Sequence, residues 1–403
     1  MWGFVLRNRM AAAAFCVAAA YCPGIFAGGS SPRWWVIAVG VPLASDVDPR
    51  KMSPPIALLL LAGLLAAAAS AWTSPDPRAA GLELFFLSLL ALTMVAAAGL
   101  EDLDPVIAAF GWGVAVSSPI VIMQAMGWSP VYQLGAPAGT FMNSEVLAET
   151  AAPVLAWAAW KHRWALASAT SVPLLLCHSR IGIVAVVVGL VAGWRPVVRW
   201  LRPAALGCAL LAGVVALGAF GIDKAASGLT RVVLWLTAVA LVEPAGRGLG
   251  WWAAAHPGSL EEFAHSDALQ FMVELGVGVM FFVAIVAMLI ARRFFASRGE
   301  IAAGAAILFE TAVSFPLHFP ATGFLAAVLA GFLARRRLDV CLVEPLRRAG
   351  PGPALRWGRA PVDAVGGFGE GGPGDFPLRS AFAGDGARHL EPGRAGELKG
   401  TAA

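Results

Sequence analysis

Apolar stretches long enough to cross a bilayer recur along this chain from Met10 to Leu333, far more of them than one soluble core could use. A hydrocarbon layer about 30 Å thick takes about 20 apolar residues when crossed as a helix. It leaves the backbone only two options, the helix and the closed barrel. A barrel requires sustained alternation of polar and apolar residues, and none is present. The fold class is therefore all-α, a polytopic membrane protein. Composition agrees: 59% of the residues are hydrophobic and 13% are charged, against about 25% charged in soluble domains. Apolar windows lie near 10–27, 34–45, 55–73, 80–99, 105–127, 146–160, 164–178, 181–194, 204–221, 267–291, 301–316 and 320–334, which predicts about twelve transmembrane helices. The start, MWGFVLRNRM then AAAAFCVAAAYCPGIFA, has the build of a signal peptide. With so many spans behind it, it reads as an uncleaved first helix.

Lys and Arg in short loops set orientation. With the N-terminus inside, the inner loops receive Arg7, Arg9, Arg50, Lys51, Lys161, Arg163, Arg195, Arg199, Arg202, Arg292, Arg293, Arg298 and Arg335 to Arg337. The outer loops receive only Arg33, Arg78, Arg180, Lys224, Arg231 and Arg247. Both termini are thus expected in the cytoplasm. Residues 1–337 read as one membrane domain, with an outer segment at about 222–266. Within that segment LTRVVLWLTAVALVE is apolar and too short to span comfortably, so an interfacial helix is expected. Residues 338–403 hold 14 Gly and 7 Pro without periodicity, the composition of a disordered tail. The net charge of +4 comes from loop arginines and is no nucleic-acid signal. Cys16, Cys22, Cys177, Cys208 and Cys341 form no disulfide framework or paired metal motif.

Ionisable groups inside a membrane are costly and are functional candidates by default. The stretch AHSDALQFMVELG, 264–276, places His265 at the mouth of an apolar run. Asp267, Gln270 and Glu274 follow at i, i+3 and i+7, on one helix face. Two readings fit this stripe. It is either a site carried by His265, or a helix start capped by Ser266 or Asp267, with Gln270 and Glu274 bonding neighbouring helices. Arg180 in CHSRIG and Arg231 in LTRVVLW stand on the outer side, against the charge rule. Guanidinium groups stay charged and bind phosphate oxygens bidentately; the alternatives are a snorkelling anchor and attraction to anionic lipid. Arg247, in the Gly-rich GRGLG, is a third candidate for a diphosphate, the alternative being that it only decorates its turn. Asn143 closes GTFMN, and His318 stands in the Pro-bounded turn SFPLHFP as a second candidate base.

The order GTFMN, SR at a helix start, R-x-x-x-W, GRGLG, HSDALQ…ELG and FPLHFP, over about 130–330, resembles the O-antigen ligase and polymerase superfamily of bacterial membrane glycosyltransferases. The resemblance implies a twelve-helix inner-membrane enzyme that takes a glycan from undecaprenyl diphosphate at the periplasmic face. Ligases pass the glycan to lipid A-core, polymerases to another lipid-linked repeat, and oligosaccharyltransferases to protein side chains. The family's essential His falls on His265 and its diphosphate-binding arginines on Arg180 and Arg231. Where the family often has Asn and an aromatic after the His, this chain has Ser266 and Ala268. A single inverting displacement follows, with His265 as general base and the arginines holding the diphosphate; a Glu or Asp base is the alternative, and Glu261, Glu262 and Asp267 flank His265 as groups to orient its ring. No cofactor or metal is expected, because no Asp-x-Asp stands in the outer segments. The compact length and single sizeable outer segment favour a ligase. A reading of another class is a transporter, with Glu83, Glu149, Glu274 and Glu310 as a proton path. No symmetric pair of broken helices supports it.

Overall fold

The computed structural model describes residues 9–20, 31–45, 47–130, 137–141, 143–194, 222–255, 264, 266–292, 296–314 and 316–335, with backbone alone for 31 and 222–229. The span expected near 204–221 and the Gly- and Pro-rich tail lie outside these residues. The chain divides into two compact units, Met1–Gly350 and Pro351–Ala403; the description below concerns the first.

Among the described residues the regular structure is helical, apart from an isolated bridge between Met52 and Arg335. The helices are α1 (Arg9–Ala19), α2 (Ser31–Ala44), α3 (Pro54–Trp72), α4 (Pro77–Ala97), α5 (Asp104–Ala115), α6 (Ser118–Ala125), α7 (Ser144–Trp160) and α8 (Trp164–Leu176). There follow α9 (Arg180–Gly193), α10 (Ile222–Ala240), α11 (Trp251–Ala255), α12 (Asp267–Leu275), α13 (Val279–Ala291), α14 (Arg298–Val313) and α15 (Pro320–Leu333). Four stretches are long and apolar enough to cross a membrane: Pro54–Trp72, Pro77–Ala97, Asp104–Ala125 and Asp267–Ala291. The helices Arg9–Ala19, Trp164–Leu176, Arg180–Gly193 and Pro320–Leu333 are apolar but shorter. Two expected spans are interrupted. The 105–127 window breaks between α5 and α6, where the Ser117 and Thr140 hydroxyls share a 2.8 Å hydrogen bond. The 267–291 window is broken by a 3₁₀ turn at Gly276–Gly278.

Helix starts follow local chemistry. Asp76, Asn143, Ser179, Ser266 and Ser297 each accept a backbone N–H of the first turn, which satisfies donors that the helix itself cannot. Ser297 and Glu300 complete a capping box. Helix α7 is the central pillar. It packs against α5, α8, α9 and α14, and most of its side chains, including Trp157, are buried. Around it the apolar surface faces outward, with Leu58, Leu61 and Leu65 on α3, Leu82 and Phe85 on α4, and Met280 and Val283 on α13 exposed.

The two ends of this bundle differ in chemistry. At one end Lys161 pairs with Asp104 at 2.8 Å, and Arg292 donates to Ser53 Oγ at 2.7 Å and to the Leu333 carbonyl at 3.3 Å. Arg335 donates to the Glu101 carbonyl there. The opposite end carries the starts of α4, α7, α9, α12 and α15 and the finish of α14. Near it Arg33, 2% exposed, donates to the carbonyls of Val17 and Ala18 and to Thr140 Oγ1, with its guanidinium 3.8 Å from the centre of the Phe141 ring. That side chain fastens the GTF segment to α1 and α2.

Candidate functional site

At the second end, Ser266 and Asp267 begin α12. The Ser266 hydroxyl caps the helix by accepting Leu269 N–H. The Asp267 amide donates to the Ser314 carbonyl at 2.9 Å, which ties α12 to the residue that closes α14. The Asp267 carboxylate then accepts Leu317 N–H at 2.8 Å and meets His318 Nδ1 at 2.5 Å. Both side chains are almost fully buried, 0% and 3% exposed. His318 Nε2 lies 3.7 Å from Glu83 Oε2 on α4 and 3.3 Å from Gln270 Nε2. The Phe271 ring stacks on the imidazole at 5.5 Å.

Burial by itself disfavours a charged imidazole. The Glu83, Asp267 and Glu274 carboxylates around His318 outweigh it and push the pKa up to about 9. The ring therefore holds its proton at neutral pH. In that state it is a cationic anchor for the carboxylates of Glu83 and Asp267. A folded-state pKa raised above the unfolded value of about 6.5 stabilises the protein fully below that value. The contribution declines as pH climbs through about 9. Thermal unfolding of the wild type and His318→Gln should show the wild-type advantage constant in mild acid and shrinking from pH 6.5 to 9. An advantage that grows over that range would mean the ring is held neutral.

The other two members of the stripe face the same way. Gln270 Oε1 accepts Ala264 N–H at 3.2 Å, and its amide nitrogen donates to Glu274 Oε1 at 3.3 Å. Glu274 Oε1 also accepts Trp252 N–H at 3.1 Å. The Gly-rich turn closes over the end of α12. Arg247 N–H and Gly248 N–H donate to the Val273 and Glu274 carbonyls, Ser70 Oγ donates to the Glu274 carbonyl, and Val277 N–H donates to the Pro244 carbonyl. Gly246 and Gly276 adopt φ of 73° and 54°, conformations that favour glycine. A Cβ on Gly246 would strike the Glu274 carbonyl, and one on Gly276 would strike Pro244 and Gly246. GRGLG and ELG, 26 positions apart from Gly250 to Gly276, thus form one clasp. The Arg247 and Gly248 amides of this turn are thus occupied by the chain's own Val273 and Glu274 carbonyls.

Of the arginines, Arg231 on α10 donates through one nitrogen to both oxygens of Glu145, at 2.9 Å each. Arg247 bonds the Leu241 carbonyl at 3.1 Å and Glu243 at 2.5 Å, and lies 5.0 Å from the centre of the Trp251 ring. It is committed to its own turn. Arg180 is half-buried at the first position of α9. Two residues on, a Cβ at Gly182 would touch Ala148 of α7, so α9 begins against the first turns of α7. Asn143 is the N-cap of α7, its Oδ1 accepting Glu145 N–H at 2.8 Å.

Helix α7 joins these groups. Glu145 and Glu149 stand one turn apart on one face. Glu145 holds Arg231, while Glu149 accepts the Ser314 hydroxyl at 2.5 Å, and Ser314 carries the Asp267 amide. Asn143, Arg231, Asp267, Gln270, Glu274 and His318 are brought to one end of the bundle, with Arg180 beside them. Sequence reasoning on this site had no place for Ser314, named Glu145 only as the residue that follows GTFMN, and weighed Glu83 and Glu149 only for a proton path. A lone acid within LELFFLSLL, for Glu83, was the available signal. His265, Glu261 and Glu262 lie outside the described residues; Ala264 and Ser266, on either side of His265, are buried. Among the described residues no three His, Cys, Asp or Glu side chains stand close enough to share a metal ion. Set beside known proteins, the sequence matches no protein-family model and none of the curated proteins, and a functional reading rests on the motifs and the geometry above.

Proposed function

We propose that this chain is an inverting glycosyltransferase of the O-antigen ligase type, moving a glycan from undecaprenyl diphosphate to a hydroxyl of lipid A-core or another glycan acceptor. The observation that carries the reading is the gathering, at one end of an apolar helix bundle, of motif residues scattered from Asn143 to His318. That end is the periplasmic one in this reading. About twelve spans, the bacterial inner membrane and two cytoplasmic termini complete it. The basic opposite end, with Lys161, Arg163, Arg292, Arg298 and Arg335, suits a cytoplasmic face. Exposed Trp35, Trp72 and Trp128 at one end and Trp164 and Trp194 at the other suit interfacial belts.

In the reaction, His265 takes the acceptor's proton as its oxygen attacks the anomeric carbon, and the bond to the diphosphate breaks. Arg180 and Arg231 hold the departing diphosphate and offset the charge that grows on it. Asp267, Gln270, Glu274 and the protonated His318 fix the start of α12 beside His265. Glu145 occupies Arg231 until a stronger anion arrives. Polymerases and O-oligosaccharyltransferases share this chemistry and differ in acceptor.

The test is donor consumption by purified protein. Wild type should cleave the lipid-diphosphate bond in excess EDTA. Arg231→Lys should lose about 10²-fold in turnover although it keeps its charge, since Lys lacks the planar fork. Activity abolished by chelation and restored by magnesium would replace the arginine mechanism with a metal one. A second reading, proton-coupled transport, draws on Glu310, neither of whose oxygens has a hydrogen-bond partner among the described residues, and on Glu149 Oε2. A transporter would leave the donor intact in the same assay.

A further inference from the structure

Beside the polar cluster a cavity of about 440 Å³ opens between the α3–α4 turn and α11, lined by Pro75, Asp76, Pro77, Trp251, Ala254 and Ala255. Its volume falls in the range of small-ligand sites, about 300–1,000 Å³. One aromatic ring, one carboxylate and otherwise small or apolar walls make up the lining. The indole is held on two sides: the Arg247 guanidinium is 5.0 Å from its centre, and Trp252 stands edge-on to it at 6.3 Å. Asp76 uses Oδ1 to cap α4, accepting the amides of Arg78 and Ala79 at 2.9 and 3.2 Å. Among the described residues its second oxygen accepts no hydrogen bond.

We infer that this cavity is a saccharide subsite, in which the Trp251 ring carries the face of a pyranose and Asp76 accepts its hydroxyls. The inference rests on the glycosyltransferase reading and adds to it the place where the glycan is gripped. A pyranose has an apolar face of slightly positive C–H groups and a rim of hydroxyls. The first matches the electron-rich face of an indole. The second matches a carboxylate, which forms short, strong hydrogen bonds with O–H donors. A phosphate group would meet the negative charge of Asp76. An acyl chain would bury that charge without a partner, at high cost.

Position points the same way. Asp76 and Glu83 are seven residues apart along α4, on one face, about 10 Å by helical rise. Glu83 is the residue that faces His318. Across the cavity, Trp252, next to Trp251, donates its amide to Glu274. A glycan whose reacting end lies at the cluster reaches this cavity with its following sugar units. Donor and acceptor both carry such sugars, and kinetics separate them.

The experiment uses the purified full chain in phospholipid nanodiscs, with undecaprenyl-diphosphate-linked glycan as donor and rough-type lipid A-core as acceptor. Trp251→Ala should raise KM for one of the two on the order of tenfold with little change in kcat, and Trp251→Phe should recover most of the loss. A raised acceptor KM assigns the cavity to the acceptor's sugars, and a raised donor KM to the donor's. Asp76→Asn keeps the helix cap and should shift the same KM, which covers a failure of Trp251→Ala to fold. Wild-type KM values for both substrates in Trp251→Ala, or in Asp76→Asn if only that variant folds, would overturn the subsite and leave the enzyme reading standing. A wild type that never consumes the donor would overturn both.

Discussion

Asp267→Ala should lower the stability of the folded chain by about 3–5 kcal/mol, the range for removing one partner of a buried ion pair. Three contacts set the size. The carboxylate balances a protonated His318, accepts Leu317 N–H at 2.8 Å, and is itself 0% exposed. Its loss leaves a buried cation facing Glu83 at a weaker 3.7 Å. It also leaves an amide without an acceptor, which alone costs about 1–3 kcal/mol. Asp267→Asn keeps an acceptor for Leu317 and removes only the charge, so it should fall between wild type and Ala. Unfolding in detergent micelles, followed by circular dichroism at pH 7, measures the order. If Asn proves as damaging as Ala, the ion pair with His318 dominates and the Leu317 bond contributes little. If neither variant shifts the midpoint, the buried pair is not a structural element.

His265→Ala should reduce glycan transfer by about 10²–10⁴-fold, the usual contribution of a positioned general base. The protein should still insert and remain monodisperse. The second candidate base is His318, and the carboxylates around it push its pKa up to about 9, which works against its taking a proton at neutral pH. The residual rate should come from the arginines and from binding alone. Near-normal turnover in His265→Ala would move the base to an acid near the cluster, with Glu83 the first to replace.

Local chemistry was the legible part of this molecule. The i, i+3, i+7 stripe of Asp267, Gln270 and Glu274 reads directly from AHSDALQFMVELG, and all three side chains are buried on one face. Of the two readings of that stripe, the structure shows the second, a capped helix start whose polar side chains bond their neighbours; His265, which carries the first, lies outside the described residues. Ser266 caps the helix, while Asp267, Gln270 and Glu274 bind the neighbouring segments that shape the site. Pairings across the chain were not legible. Arg231 and Glu145 are 86 positions apart and Asp267 and His318 are 51 apart; which acid meets which cation depends on how helices pack, and hydropathy carries no record of that. Helix ends were displaced for a similar reason. The 146–160 window begins at Ser144 because Asn143 caps it, and the 105–127 window breaks where Pro119, which has no N–H to continue α5, stands in the first turn of α6.

The clasp on α12 also sets what the outer segment is free to become. Trp252 N–H is fixed to Glu274, and Ala264 N–H to Gln270. The chain between them therefore leaves and rejoins a single helix at points one turn apart, about 6 Å by helical rise. A loop whose two ends are anchored so close together can lengthen at little thermodynamic cost, about 0.6 kcal/mol per doubling. Residues 253–255 close α11, and Ala254 and Ala255 line the cavity beside Trp251, so an epitope tag belongs after Ala255, where its insertion should leave the helix bundle unchanged.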